Sequence, residues 1–147
     1  QVALTARTLE LNAVQLHGAE DAGYIAGLRA LLPEACEIWA AGAVGETVPE
    51  PRLGADRTLF DTSIGGRSGG TGKAFDWSRI ADRRELGRSL LAGGLNPGNA
   101  RAASRLGAYA LDVGSGVEAV PRWKDSGKVH AFFDALRLPV RAALRSC

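Results

Sequence analysis

Short apolar runs and helical segments take turns along this 147-residue chain, and that alternation constrains the fold more than any other feature. The runs are Ala13-Val14-Gln15-Leu16-His17-Gly18, Glu37-Ile38-Trp39-Ala40-Ala41 closed by Gly42, Arg57-Thr58-Leu59-Phe60-Asp61, Ser89-Leu90-Leu91-Ala92 and Ala110-Leu111-Asp112-Val113. Each is bounded by glycine or polar residues and reads as a strand. Between them, Glu20 to Leu32 places Ala22, Ile25, Leu28, Leu31 and Leu32 at helical spacing and stops at Pro33. Asp76 to Gly87 (apolar face Trp77, Ile80, Leu86) and Pro97 to Leu106 are the next helical patterns. Ser126 to Leu138 closes the series with Val129, Phe132, Phe133 and Leu136 inward and His130 near that face as a structural residue. Val44 to Leu53 holds Pro49 and Pro51, so any helix there is short or irregular. Such alternation defines an α/β chain with parallel strands, whose C-terminal ends share one face. In closed βα barrels and open doubly wound sheets alike, that face carries the site. Gln15, His17, Asp61, Gly93, Gly94, Asp112 and Ser115 gather there.

Two strand ends invite an anion. After Leu90-Leu91-Ala92 come Gly93-Gly94, then Asn96 as a helix N-cap and Pro97 at the first helical position. Bare backbone before a helix N-terminus suits a phosphate, although glycine also serves simply as a tight connection. Gly114-Ser115-Gly116 repeats the pattern one unit later, and two adjacent loops of this kind favour the phosphate reading. Gly65 to Lys73 is glycine-rich but fails the Walker spacing, with Arg67 where a glycine is needed and Ala74 where Ser or Thr is needed. It reads as a mobile lid. Asp61 fits either a turn cap or a carboxyl whose pKa a low-dielectric pocket raises enough for proton donation. Asp112 carries the same two readings, and His17 either caps its loop or binds substrate. Ser115 has no histidine placed to activate it, so a hydrolase triad finds no support.

The 18 basic and 16 acidic residues are scattered and aromatic residues make up 6%, which argues against nucleic acid or membrane as the main partner. No apolar run approaches the roughly 18 residues of a membrane span. Cys36 and Cys147 are isolated, no zinc spacing occurs, and Cys36 reads as a buried reduced thiol. A cytoplasmic protein fits best. The chain begins at Gln1, holds no methionine and opens in what reads as the end of a helix, Val2 to Leu11; an incomplete translation product is expected.

Several segments together resemble the phosphoribosylanthranilate isomerase family, βα-barrel (TIM-barrel type) enzymes of tryptophan biosynthesis. They are Val14-Gln15-Leu16-His17-Gly18, Phe60-Asp61, Gly70-Thr71-Gly72-Lys73-Ala74-Phe75-Asp76-Trp77, Leu91-Ala92-Gly93-Gly94-Leu95-Asn96-Pro97, Asp112-Val113-Gly114-Ser115-Gly116-Val117-Glu118 and Lys124-Asp125, in the family's order and spacing. Ile38-Trp39 with Val44-Gly45-Glu46-Thr47 is more similar to the bifunctional form, in which an indole-glycerol-phosphate synthase domain precedes the isomerase. The resemblance implies an Amadori rearrangement of N-(5-phosphoribosyl)anthranilate. Asp61 would be the general acid at the furanose ring oxygen, and Gly93, Gly94, Ser115 and Gly116 would hold the phosphate. Gln15 and His17 would line the sugar and anthranilate side, and Asp112 would support the sugar. A small phosphosugar is the implied partner, with no metal or organic cofactor.

The departures from the family are specific. Its general-base cysteine, in a Lys-Ile-Cys-Gly motif, is absent; Cys36 stands at a strand entry, on the opposite face, and Cys147 in the tail. Arg122 replaces the glycine that usually precedes the Lys-Asp pair, Gly114 a common serine and Ala40 a common lysine. The alignment implies a single domain over residues 1–147 that holds about five of eight βα units, the first three being missing. Five strands cannot close the barrel. The missing units then come in cis or in trans, another chain or self-association covers the edges, or the chain forms an open five-stranded parallel sheet. Two functional readings follow: an isomerase that is inactive as this chain alone, or a non-catalytic phosphosugar-binding or assembly fragment. Indole-glycerol-phosphate synthase chemistry itself is disfavoured, since no cluster of lysine and glutamate stands at the strand ends.

Overall fold

A computed structural model of the chain describes residues 1–64, 67–68 and 74–137. Helix α1 (Val2–Thr8) leads into β1 (Ala13–Leu16), α2 (Ala22–Leu31), β2 (Glu37–Val44) and β3 (Arg57–Ile64). There follow β4 (Arg67–Ser68), α3 (Ser78–Ala81), a 3-10 turn at Leu86–Arg88, β5 (Leu90–Leu91), α4 (Ala100–Ser104) and β6 (Ala110–Leu111). A second 3-10 turn, Ser115–Val117, precedes the hairpin β7 (Glu118–Val120) and β8 (Trp123–Lys124), and α5 (Ser126–Arg137) ends the described chain. The expected lid falls mostly outside the described residues, as do Leu138 and Cys147.

All five expected strands form, and they pair in parallel in the order β1-β2-β3-β5-β6. Among the described residues neither β1 nor β6 has a second strand neighbour, so the barrel is not closed. Period-two alternation sorts the sheet's side chains. On one face Val14, Leu16 and Ile38 pack with Ala3, Ala6, Ile25 and Leu28 of α1 and α2. Further along, Phe60 and Leu91 pack with Ile80, Ala100, Ala103 and Phe132. The other face carries a thinner layer, Ala41, Leu59, Leu90 and Ala92 with Trp39 and Ala110 against it. Helices on one face and this thinner layer on the other describe a sheet curled around its inner surface.

Several boundaries differ from the sequence reading, each for a local reason. β2 runs through Gly42 to Val44, because its pairing with β3 continues to Val44 opposite Thr62; Gly42 serves Pro49 instead, since a Cβ there would meet Pro49 Cγ at 2.5 Å. β3 does not end at Asp61 but continues to Ile64 and pairs antiparallel with β4. The helix expected over Asp76 to Gly87 breaks after Ala81. Ile80 and Leu86 are both buried, but six positions is not a helical spacing, so the chain must turn between them. Phe133 is 52% exposed rather than inward, since Val129, Phe132 and Leu136 already fill the buried stripe; its ring meets Phe132 edge-on at 6.1 Å. His130 is exposed as well, with Nδ1 2.8 Å from the Ser126 carbonyl. Leu31, at 57% exposure, leaves the packing of α2 to Ile25, Leu28 and Leu32.

Candidate active site

The strand C-termini meet in a cleft of about 460 Å³, and strand alternation decides what enters it. Leu59 belongs to the inner layer, so Asp61, two residues on, faces the same way and lines the cleft. Asp112 follows Ala110 by the same rule, its N–H bonded to the Leu91 carbonyl at 2.8 Å.

Asp61 is 6% exposed, and Oδ1 accepts the Thr62 N–H at 2.7 Å. Burial pushes this carboxyl above the usual carboxylate range; the Thr62 N–H and His17 pull it down, and Asp112 pushes it up. A carboxyl that holds its proton more tightly than solvent would allow is suited to donate it to a basic oxygen.

Gly93 makes the close approach beside it. Its φ is +81°, and an added Cβ would lie 2.1 Å from Thr62 Oγ1 and 2.9 Å from Asp61 Oδ1. Gly94 follows at φ +66°. The N–H groups of Gly93 and Gly94 donate to no acceptor among the described residues. The Gly94 carbonyl is held by Asn96 Nδ2 at 3.1 Å and Asn99 Nδ2 at 2.9 Å. Asn96 Oδ1 accepts the Gly98 N–H at 2.9 Å while Asn99 Oδ1 accepts the Asn96 N–H at 2.8 Å, a reciprocal cap of the capping-box kind. The expected N-cap at Asn96 and helix start at Pro97 are corrected: the N-cap of α4 is Asn99 and the helix begins at Ala100, because Asn96 and Asn99 spend their side chains on closing the turn between them.

The second glycine loop packs directly on the first. A Cβ on Gly116 would stand 1.7 Å from the Leu95 carbonyl oxygen, so the Ser115–Gly116 and Gly93–Leu95 segments share one rim. Gln15 and His17 are exposed and border the cleft rather than line it. The Gln15 amide nitrogen faces His17 Nε2 and donates to Asp112 Oδ2 at 3.4 Å. Arg52 braces the loop behind His17, bonding the Gly18 carbonyl at 2.7 Å and the Ala41 carbonyl at 3.0 Å.

The β7–β8 hairpin supplies lining residues that sequence reasoning did not assign: Glu118, Pro121 and Arg122. Arg122 adopts φ +73°, the left-handed conformation that glycine takes most readily. Its N–H donates to Glu118 Oε2 at 3.1 Å, and Lys124 Nζ bonds Glu118 Oε1 and the Gly114 carbonyl, both at 2.8 Å. The Lys124 hydrogen bond, helped by the Arg122 N–H, holds the Glu118 carboxyl below its usual range. The departure at Arg122 was the signal available in the sequence. Cys36 is a free thiol, 1% exposed, in the layer under α1 and α2 at the opposite end of β2.

A parallel β/α sheet curled toward its inner face, with a buried acid and a glycine rim at the strand C-termini, is the architecture of a βα-barrel domain. Residues 1–135 match the family of N-(5'-phosphoribosyl)anthranilate (PRA) isomerase, and the chain belongs to that family. It is 50% identical over 135 residues to the tryptophan biosynthesis protein TrpCF of Yersinia pestis, covering 91% of this chain and 27% of that protein. The chain thus spans about a quarter of the length of such curated relatives. The phosphoribosylanthranilate isomerase of Thermus thermophilus superposes with a TM-score of 0.73 at 28% identity, over 92% of this chain and 66% of that one. A further isomerase, solved with reduced 1-(o-carboxyphenylamino)-1-deoxyribulose 5-phosphate, superposes with a TM-score of 0.62 at 30% identity, over 88% of this chain and 61% of its own. No helix of the described residues is long and apolar enough to cross a membrane.

Proposed function

We propose that this chain is the phosphate-binding and acid-bearing part of a phosphoribosylanthranilate isomerase. The observation that carries the proposal is the buried Asp61 carboxyl, with its raised pKa, beside a glycine turn whose N–H groups have no acceptor among the described residues. The 5-phosphate of N-(5-phosphoribosyl)anthranilate sits against Gly93, Gly94, Ser115 and Gly116, where backbone N–H groups favour an anion. Asp61 gives its proton to the furanose ring oxygen as the C1–O bond breaks, and the nitrogen lone pair forms the C1=N bond. Loss of the C2 proton and reprotonation at C1 then yield the aminoketose, with no change in overall formula. Asp112, oriented by Gln15, accepts from the sugar hydroxyls, and His17 stands on the anthranilate side.

The base at C2 is a separate matter. The family's base is a cysteine, and Cys36 is buried at the wrong end of its strand to serve. We infer that the reaction needs βα units preceding this segment, in cis within a longer bifunctional protein or supplied in trans, and that residues 1–147 form one domain with them. The second reading is a phosphosugar-binding fragment without turnover. Loss of the substrate's anthranilate fluorescence separates the two. Turnover by the full-length protein, abolished in D61N, supports the isomerase. Binding of a reduced product analogue with no turnover, even after the preceding units are added, supports the fragment reading and sinks the first.

A further inference from the structure

The charge of the cleft does not match the ligand proposed for it unless one further residue takes part. Its titratable lining residues are Asp61, Asp112, Glu118 and Arg122. Lys124 offsets Glu118, and the partner of Asp112 is the neutral Gln15 amide. With Glu118 offset by Lys124 and Asp61 the proton donor, a phosphate monoester dianion held only by backbone N–H groups would still face the Asp112 carboxylate with no cation of its own. Among the described residues Arg122 is the one cation in the lining, and its guanidinium has no hydrogen bond or ion pair with them; only its backbone N–H is engaged, by Glu118. The residue is also held at φ +73°, a conformation that disfavours any side chain with a Cβ. An arginine kept in a strained turn, free of partners and facing a glycine rim, has the disposition of an anion ligand.

We propose that Arg122 is a phosphate-binding residue of this chain. Its guanidinium contacts the side of the phosphosugar anion turned away from Gly93, Gly94 and Gly116, adding a charge-assisted contact to a site otherwise built from backbone. The proposal rests on the phosphosugar reading of the cleft, and it makes substrate affinity dependent on ionic strength through this residue.

The test is isothermal titration of the full-length protein and its R122Q, R122K and R122G variants with ribose 5-phosphate and with inorganic phosphate, beside the KM for phosphoribosylanthranilate. R122Q and R122G are expected to weaken ribose 5-phosphate binding about tenfold, the scale of one lost charge-assisted hydrogen bond. R122K should recover most of the affinity, KM should rise in step with Kd, and the salt dependence should flatten in R122Q. R122G accepts the left-handed turn without strain, so a loss there cannot come from a disrupted hairpin. Binding by R122Q within about twofold of the parent, at low and high salt, overturns the proposal even if the parent isomerises its substrate, a scale well below one such hydrogen bond. A parent that binds ribose 5-phosphate in an Arg122-dependent way yet never isomerises overturns the isomerase reading and leaves this one standing. A parent that binds neither probe overturns both.

Discussion

Gln15 Nε2 lies 3.4 Å from Asp112 Oδ2, although Gln15 is on β1 and Asp112 follows β6, the two ends of the sheet order. In a flat sheet strands four places apart are about 19 Å apart, far beyond the combined reach of a glutamine and an aspartate. The contact therefore measures curvature: the sheet bends until its first and last strands face each other across the cleft. It also gives Asp61 its surroundings, since His17 and Asp112 both act on its carboxyl from that enclosed space.

Asp61 sets the first expectation. Its folded pKa is raised by burial, so its stabilising contribution is full below the unfolded value of about 3.9 and is lost as pH rises through the folded value. Asn at this position stays neutral and escapes that loss. D61N should therefore melt at or above the parent temperature at pH 7, with the difference shrinking as pH falls toward 4 in thermal unfolding scans. Turnover in the full-length protein should fall by about 10²–10⁴-fold, the usual range for removing a general acid. A D61N protein less stable than the parent at pH 7 would show that the carboxylate is held favourably rather than at a cost.

The two glycine positions separate conformational from steric need. G93A faces both a left-handed φ and contacts of 2.1 Å with Thr62 and 2.9 Å with Asp61, so it should cost about 2–4 kcal/mol in denaturant unfolding and remove phosphosugar binding. Gly116 carries no such φ, and its constraint is steric, the Leu95 carbonyl oxygen at 1.7 Å and Asn96 Cα at 3.1 Å. G116A should push the two loops apart, because backbone rather than a side chain must give way, weakening ribose 5-phosphate binding and costing stability on the scale of G93A. Equal affinity in G116A and the parent would show that the two loops do not act as one rim.

The strand positions and the inward direction of Asp61 were legible because period-two alternation and glycine punctuation survive in a single sequence. Phe133 and Leu31 were misplaced for the opposite reason. A helix has room for a limited buried stripe, and sequence alone does not say which of two adjacent apolar residues wins it. The hairpin over the cleft was missed because Glu118, Arg122 and Lys124 organise one another through side chains at no repeating spacing. The family segments named Asp112, Ser115 and Gly116 but could not show that Gln15 reaches across to Asp112.

The reciprocal Asn96–Asn99 cap fixes the first glycine loop and the entry to α4 together. N99A removes both the acceptor for the Asn96 N–H and the Nδ2 donor to the Gly94 carbonyl, and should cost about 1 kcal/mol. Because the Gly94 carbonyl then keeps only the Asn96 Nδ2 bond, phosphosugar affinity should fall as well. N99D keeps the acceptor and loses the donor, so it should recover the stability and not the affinity. Urea unfolding and titration of the two variants side by side check the division.

At the other end of the inner face, Glu37 and Arg57 form a two-point ion pair, Nε to Oε2 at 2.7 Å and Nη2 to Oε1 at 2.9 Å. The Arg57 guanidinium also lies 3.4 Å from the Tyr109 ring centroid, joining β2, β3 and the entry to β6. The Arg57 hydrogen bond, followed by that of Trp39, draws the Glu37 pKa down, so this stabilisation is present above the unfolded value of about 4.3 and is lost as pH falls through the folded one. The pair is partly exposed, with side-chain accessibilities of 16% and 34%, so solvent and salt reduce its worth. R57A should cost about 1–2 kcal/mol, from the ion pair and the cation–π contact together, and R57K should recover only part because an ammonium cannot reproduce the fork. E37Q should approach the parent's stability as pH falls below about 4, where Glu37 itself takes up a proton. Since the pair lies at the strand N-termini, away from the cleft, ribose 5-phosphate affinity should be unchanged in all three variants; a loss of affinity there would mean that the curvature of the sheet depends on this end as much as on the other.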